Sequence, residues 1–275
     1  MTAPSRWDNV LQNFSRNAAI YNRVGPPYYT TFAERLVDLA GLPTGASVLD
    51  VCCGTGAVTL TVARRVGANG RVLGVDITPA MLERATDEAR SASLPNVAFR
   101  EGDATQLDLP AASFDAVTCG FAVQFLPEPA AAVAHWTTFL KPGGRLACST
   151  WSEGGFEPLM TVARGLLAEE GVTEEINHRR PTSNPANLIA YAQAAGLVDV
   201  ACRQEDNVVH FANPGDAVLG TPRGRNVLNV IPAERRDAVR AELVRRLDAR
   251  SDASGLALTI GVLYLTGRKP GASAM

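Results

Sequence analysis

The 275-residue chain is predicted to fold as an α/β protein built on a doubly wound, mostly parallel sheet, and three features of the sequence point there. From Ser47 onward short apolar runs alternate with helix-like segments, the rhythm of strands joined by crossover helices that cover both faces of a sheet. The stretch VLDVCCGTGAVTL, Val48 to Leu60, carries an apolar strand into a glycine-rich turn and then into a helix. Acidic residues recur at strand ends, at Asp50, Asp76 and Asp103, along the edge where sheets of this kind bind ligands.

The first strand is read at Ser47 to Cys52 and its helix at Ala57 to Gly67. A second strand, Arg71 to Asp76, leads into a helix from Pro79 to Ser91; proline suits a first helical position because its φ is already helical and its missing N–H has no partner there. Leu94-Pro95-Asn96 closes that unit ahead of a third strand, Val97 to Glu101. Phe114 to Cys119 reads as a fourth strand and Ala130 to Leu140 as its helix, and Lys141-Pro142-Gly143-Gly144 turns the chain into a fifth strand, Arg145 to Thr150. Beyond Trp151 the rhythm loosens. A helix is expected over Pro158 to Glu170, a polar stretch over Thr173 to Asn184, a helix over Pro185 to Ala195 and a strand from Leu197 to about Cys202. Arg223-Gly224-Arg225 reads as a loop, Ala233 to Ala249 as a charged amphipathic helix, and Leu256 to Leu265 as a closing buried strand. The first 45 residues, two helical stretches broken at Gly25-Pro26-Pro27, are expected to fold over the ligand-binding edge.

Composition narrows the function classes. Hydrophobic residues make up 46% and charged residues 20%, with a mean hydropathy of +0.01, the profile of a folded chain with a sizeable core. Twenty-six basic residues against 28 acidic ones leave a net charge of −2, so neither duplex nucleic acid nor an anionic membrane is an expected partner. The five cysteines, Cys52, Cys53, Cys119, Cys148 and Cys202, are odd in number, hold no C-x-x-C pair and lie in apolar stretches, which predicts buried thiols in a reducing compartment. His135, His178 and His210 are scattered, so no metal site is expected. The segment MTAPSRWDNVLQNFSRN has charges and amides where an export signal carries its apolar core. The last apolar run is about half of the roughly 20 residues a spanning helix needs. A cytoplasmic location is therefore expected.

The glycine turn carries the chemistry. Gly54 and Gly56 permit positive φ and a close approach of backbone to ligand. A dinucleotide fingerprint would need glycine where Thr59 stands, and the Gly-Lys-Ser/Thr of a phosphate-binding loop is absent. Asp50 at the strand end would repel a pyrophosphate and favour an ammonium or sulfonium group. Asp76 in GVDIT is placed to accept hydrogen bonds from two vicinal ribose hydroxyls, and Asp103 in EGDAT closes the third strand. Three carboxylates at successive strand ends describe a ligand with an amine, a diol and a purine, all of which S-adenosylmethionine (SAM) has. Taken singly, Asp50 also suits a helix cap and Asp103 a turn. Asp115 reads as structural.

With VLDVCCGTG, GVDIT, GDA, FDAVTCGFAVQFL and LKPGGRL in that order, the chain resembles the class I SAM-dependent methyltransferases. From Asn17 to Leu159 it is similar to the quinone C-methyltransferases and to the antibiotic-pathway group that includes the aklanonic acid methyltransferases. The resemblance implies a Rossmann-like, seven-stranded sheet in three parts: a helical lid over 1–46, a SAM-binding core over 47–152, and a remainder over 153–275 with substrate-covering insertions at about 153–184 and 207–250. It implies that Asp50, Gly54 and Gly56 surround the methionine part of the cofactor and that Asp76, with Ile77 beside it, holds the ribose. Asp103 and Ala104 would meet the adenine, Met81 would pack on its face, Phe121 would lie beneath the transferred methyl and Tyr21 would be a lid tyrosine. Cys52, counted with the cofactor residues, stands where the family usually has glycine, so the backbone there must accept a Cβ.

Transfer from a sulfonium needs the acceptor held in line, and a base only when the nucleophile is a phenol or a carbon acid. His178, His210 and Tyr28 are the base candidates, and Trp151, Gln124 and Arg179 the acceptor-binding ones. The triplet His178-Arg179-Arg180 reads either as an anchor for a carboxylate or phenolate or as a solvated turn, and Arg223 and Arg225 carry the same two readings. Adjacent Cys52 and Cys53 point to opposite faces of a strand, so packing is preferred to redox chemistry. The expected function is SAM-dependent O-methylation of a small aromatic or polyketide-type acceptor of secondary metabolism, with S-adenosylhomocysteine (SAH) as product and a monomer or homodimer as the acting form. The alternatives are C-methylation of a quinone-like acceptor and a SAM-fold protein with a rearranging or binding role.

Overall fold

The computed structural model describes residues 11–12, 14–16, 18, 20–21, 23–172 and 181–271. His178, Arg179 and Arg180 lie outside the described residues. Seven strands form one sheet in the order β3-β2-β1-β4-β5-β7-β6. They are β1 (Ser47–Val51), β2 (Arg71–Asp76), β3 (Val97–Glu101), β4 (Phe114–Gly120), β5 (Leu140–Trp151), β6 (Val198–Phe211) and β7 (Leu256–Arg268). Strands β1 to β5 pair in parallel, and β7 runs antiparallel to both β5 and β6. From β1 the chain builds outward in one direction through β2 and β3, then returns to β4 on the other side. That reversal opens a crevice at the carboxyl ends of β1 and β4.

The helices are α1 (Tyr28–Ala40), α2 (Ala57–Val66), α3 (Pro79–Ser91), α4 (Pro129–Thr138), α5 (Leu159–Glu169), α6 (Pro185–Ala194), α7 (Pro214–Gly220), α8 (Pro222–Asn229) and α9 (Arg236–Asp248). Successive strand residues face opposite sides, so each central strand feeds two cores. Val48, Ala116 and Ala147 join the core that α1, α2, α5 and α9 cover. Leu49, Val117 and Leu146 join the core under α4 and α6. Burial on both faces is why these strands read as unbroken apolar runs.

Three boundaries differ from expectation. The sixth strand does not stop near Cys202 but runs on to Phe211, paired with β7 throughout, so the second insertion occupies 212–255 rather than starting at 207. Arg223-Gly224-Arg225 is helical, not a loop: Thr221 caps α8 by accepting the Gly224 amide on Oγ1 at 3.0 Å. Gly224 is needed there because an added Cβ would lie 2.1 Å from the Val218 carbonyl oxygen. The Lys141–Gly144 turn is a bulge inside β5, with register partners Phe114–Leu140 and Ala116–Arg145 on either side of it. A bulge inserts residues into one strand and bends it without ending the pairing.

The N-terminal segment and the second insertion meet over the carboxyl edge. Tyr28 Oη donates to the Gly220 carbonyl at 2.9 Å, and a Cβ on Gly220 would come within 2.4 Å of the Val24 oxygen. Arg35 on α1 and Glu205 on β6 form a two-pronged ion pair with Nε at 2.9 Å from both carboxylate oxygens. Among the described residues no helix is long and apolar enough to cross a membrane.

Candidate active site

The turn after β1 is built by backbone conformations that few residues accept. Cys52, Gly54 and Gly56 have φ of 55°, 54° and 87°, and the Cys53 amide donates to the Val75 carbonyl at 2.9 Å, fixing the turn to β2. The two glycines have different reasons. A Cβ on Gly54 would meet no atom within 4 Å and would project into open space, whereas one on Gly56 would press on Ala85, Leu60 and Phe99 at 3.3 to 3.6 Å. Gly54 keeps room for a ligand; Gly56 lets α2 pack.

The carboxylates are held in different ways. Asp50 is fully buried and accepts from Thr59 Oγ1 at 2.5 Å and Thr118 Oγ1 at 2.7 Å. Burial pushes its pKa up to about 7, with the two hydroxyls pulling the other way. Asp76 accepts the Gly54 amide on Oδ2 at 2.8 Å and the Thr78 amide on Oδ1 at 2.9 Å. Burial raises its pKa while those amides lower it, and the net direction is upward. Asp103 Oδ1 accepts both the amide and the hydroxyl of Thr105 at 2.8 Å, the turn-forming role that aspartate also suits. Asp115 lies elsewhere, taking the Ser47 amide and the Lys141 ammonium at 2.8 Å each.

These groups surround a cavity that encloses about 980 Å³ when the open space at its mouth is included. Every residue expected to hold the cofactor lines it except Gly56. Tyr29, a tyrosine of the expected lid, and Cys53, expected only to pack, line it as well, as do Phe14, Thr78 and Phe125, to which the sequence assigns no role. Phe125 belongs to the motif FAVQFL and so carries a signal in the sequence; Phe14 carries none. Aromatic rings close one side. Tyr21 stacks on Tyr29 with centroids 5.2 Å apart, Tyr29 meets Phe121 edge-on at 5.6 Å, and Phe121 lies flat on Trp151 at 4.0 Å. Burial holds the Tyr21 and Tyr29 phenols well above their usual pKa, so both stay neutral at physiological pH. Phe121 sits at φ 54°, a conformation that costs a non-glycine residue about 1 to 3 kcal/mol and that places its ring in the cavity wall.

A second cavity of about 360 Å³ adjoins the first, and Phe125 lines both. Trp151 and Gln124, the expected acceptor contacts, line this second space. Gln124 Nε2 donates to the Phe121 carbonyl at 2.7 Å, and Thr150 Oγ1 donates to Gln124 Oε1 at 2.9 Å.

The base candidates fare differently. Tyr28 lines neither cavity; its hydroxyl donates to Gly220, and burial raises its pKa. His210 is exposed on β6, with Nδ1 3.3 Å from Ser254 Oγ, and lines neither cavity. The alternation of β6 turns it to solvent, a consequence of the strand's unexpected length. His178 and Arg179 lie outside the described residues.

A sheet of this order with a cavity at its switch point is the Rossmann-like α/β fold of the class I methyltransferases. Comparison with known proteins fixes the family. A methyltransferase domain family matches residues 48–144. The chain is 33% identical to nocamycin O-methyltransferase of Saccharothrix syringae over 93% of its own length and 96% of that protein's. It is 40% identical to an aklanonic acid methyltransferase of a Streptomyces species over 50% of this chain and 63% of that one. It is 34% identical to demethylmenaquinone methyltransferase of Staphylococcus aureus over 58% and 64%. A Haemonchus contortus phosphoethanolamine N-methyltransferase solved with SAH shares the fold, with a TM-score of 0.62 and 16% identity over 98% of this chain and 61% of that one. The chain belongs to the SAM-dependent methyltransferases, and SAM is its cofactor.

Proposed function

We propose that this methyltransferase methylates an oxygen of a small, aromatic or polyketide-type acceptor, with SAM in the larger cavity and the acceptor reaching into the smaller one. The observation that carries this reading is the shared wall: Phe121 lines the cofactor cavity and stacks at 4.0 Å on Trp151, which lines the other. A flat aromatic partition beside hydrogen-bonding Gln124 and Thr150 suits an oxygenated ring. The relative matched over nearly its whole length is named as an O-methyltransferase, which favours oxygen over carbon.

In this reading Asp76 holds the ribose. Each carboxylate oxygen already accepts one backbone amide, which orients the group and leaves lone pairs for two hydroxyls. The open space over Gly54 admits the methionine part beside Asp50, whose charge favours its ammonium group. Met81 and Ile77 offer apolar surface to the adenine, Asp103 and Ala104 its edge, and Tyr21 and Tyr29 cover the site against water. When bound, SAM supplies a methyl group already activated by its positive sulfur. The chain's own work is then to orient and enclose. An acceptor oxygen already ionised at neutral pH, such as a carboxylate or an acidic phenol, needs no base.

Calorimetric titration with SAH tests the site. Asp76→Ala and Asp76→Asn should weaken binding by about a hundredfold, the loss of two hydrogen bonds to a charged group; unchanged affinity would remove Asp76 from the site. Methyl-labelled SAM incubated with phenolic, carboxylic and quinone acceptors tests the chemistry. The carbon-13 shift of the product methyl separates O–CH3 from C–CH3, and a C–CH3 product overturns the oxygen assignment.

A further inference from the structure

Arg225 on α8 holds a charge against the cover of the larger cavity. It is half-buried and lines neither cavity. Its Nη1 donates to the Leu219 carbonyl at 2.7 Å, which ties the side chain back to α7. The guanidinium carbon stands 5.9 Å from the centre of the Tyr21 ring, within the roughly 6 Å over which a cation is attracted to an aromatic face. No carboxylate among the described residues forms an ion pair with it, so the ring and the Leu219 carbonyl are what its charge meets. In the sequence Arg225 reads as an anion anchor or a solvated residue; in the fold it is packed on a tyrosine.

Tyr21 is the residue that such a contact would serve. It lies outside the helices and strands, yet it lines the larger cavity. Its carbonyl accepts Arg84 Nη1 from α3 at 3.3 Å, and its ring stacks on Tyr29 of α1 at 5.2 Å. Tyr29 in turn meets Phe121 edge-on at 5.6 Å, so the ring beside Arg225 belongs to a stack that reaches the far wall of the cavity. The Arg225 charge acts on the phenols of Tyr21, Tyr28 and Tyr29, against the burial that raises their pKa.

We propose that Arg225 is a positioning residue for cofactor binding: its cation–π contact fixes the Tyr21 ring in the wall of the larger cavity. The second insertion, over 212–255, gives that cavity none of its lining, and through Arg225 it still sets how firmly the cofactor is enclosed. The proposal rests on the reading that SAM occupies this cavity with Tyr21 as part of its cover. Arg225 touches neither cofactor nor acceptor and acts through Tyr21.

The test is a double-mutant cycle on the full chain, read by calorimetric titration with SAH. Arg225→Met removes the charge and the hydrogen bond to Leu219, and Arg225→Gln removes the charge and keeps a donor. Both should weaken SAH binding by about two- to fivefold, the range of one cation–π contact at a partly buried site. Arg225→Lys should recover most of that loss, because an ammonium is also attracted to the ring. Tyr21→Leu should weaken SAH at least as much, and adding Arg225→Met to it should cost less than about 1.5-fold more, since the two residues act as one contact. Unchanged SAH affinity in Arg225→Met and Arg225→Gln, an equal cost of Arg225→Met with and without Tyr21, or Arg225→Lys as weak as Arg225→Met overturns the proposal. A change in fold stability alone would move the melting midpoint without SAH and leave these ratios at one. Wild-type SAH affinity in Tyr21→Leu removes Tyr21 from the cover and the proposal with it, whereas weak binding by Tyr21→Leu beside inert Arg225 variants strikes the proposal alone.

Discussion

Asp50 places a titration near neutral pH in the lining of the larger cavity, the proposed cofactor site. With its pKa pushed up to about 7 by burial, the folded, ligand-free protein carries Asp50 protonated below that pH and ionised above it. Only the ionised form attracts the ammonium group of SAH, so affinity should rise with pH, by up to about tenfold between pH 6 and 8. Asp76 is also raised, which makes the single variant the decisive comparison: calorimetry on Asp50→Asn should show a flatter pH profile, and an unchanged slope would place the titration elsewhere. At Cys52 the residue type opposes the backbone. A left-handed conformation costs a residue with a Cβ about 1 to 2 kcal/mol, while glycine loses about 0.5 to 1 kcal/mol more chain entropy on folding. Cys52→Gly should therefore raise the thermal midpoint slightly and keep SAH binding. A lowered midpoint would mean that packing of the half-buried thiol outweighs the strain. Asp50, Asp76 and the glycines were legible because strand-end acids and positive-φ turns are local facts. Thr59 and Thr118, which hold Asp50, were not, since the second comes from a strand 68 residues away.

Helix α1 and the α7–α8 pair form a cover whose joint is Tyr28 against Gly220. Tyr28 here is a structural hydrogen-bond donor, so Tyr28→Phe should cost about 1 kcal/mol of stability and change kcat by less than about threefold. A kcat lowered by orders of magnitude with an unchanged melting midpoint would return it to the chemistry. Gly220→Ala puts a Cβ 2.4 Å from the Val24 carbonyl oxygen, which only a backbone shift relieves. That variant should melt earlier by the equivalent of about 1 to 3 kcal/mol. Strands β1, β2, β4 and β5 were readable because burial within the sheet demands apolar runs, whereas the edge strand β3 was marked only by the Leu94-Pro95-Asn96 turn ahead of it and Asp103 after it. Half of β6 was not: Arg203, Gln204, Asp206, Val208 and His210 are all exposed on an edge strand, and only pairing with β7 makes them a strand. In the α8 segment a glycine that locally suggests a turn is there instead for the close approach of Val218.

Across the molecule, stability should fall from the centre of the sheet to its carboxyl-edge cover. Strands β1, β4 and β5 are paired on both sides and almost wholly buried apart from the bulge at Lys141 to Arg145, whereas among the described residues of 20–27 few backbone hydrogen bonds form. Native-state hydrogen exchange should be slowest in those strands and fast over 20–27, and adding SAH should slow exchange there because Tyr21 lines the larger cavity, the proposed cofactor site. Exchange over 20–27 that ignores SAH would show that these residues do not close on the ligand.

The sequence by itself determined the parallel core, the glycine turn, the three strand-end acids and the methyltransferase family, because each is written in residues close together along the chain. Tertiary structure decided the rest. The smaller cavity joins Gln124, Thr150, Ser183 and Arg223, and a hydrogen bond joins Tyr28 to Gly220 across 192 positions. No local periodicity records such meetings. They follow from how two insertions pack over the sheet edge, which is settled by the shape and burial of whole elements and not by the preference of any one residue.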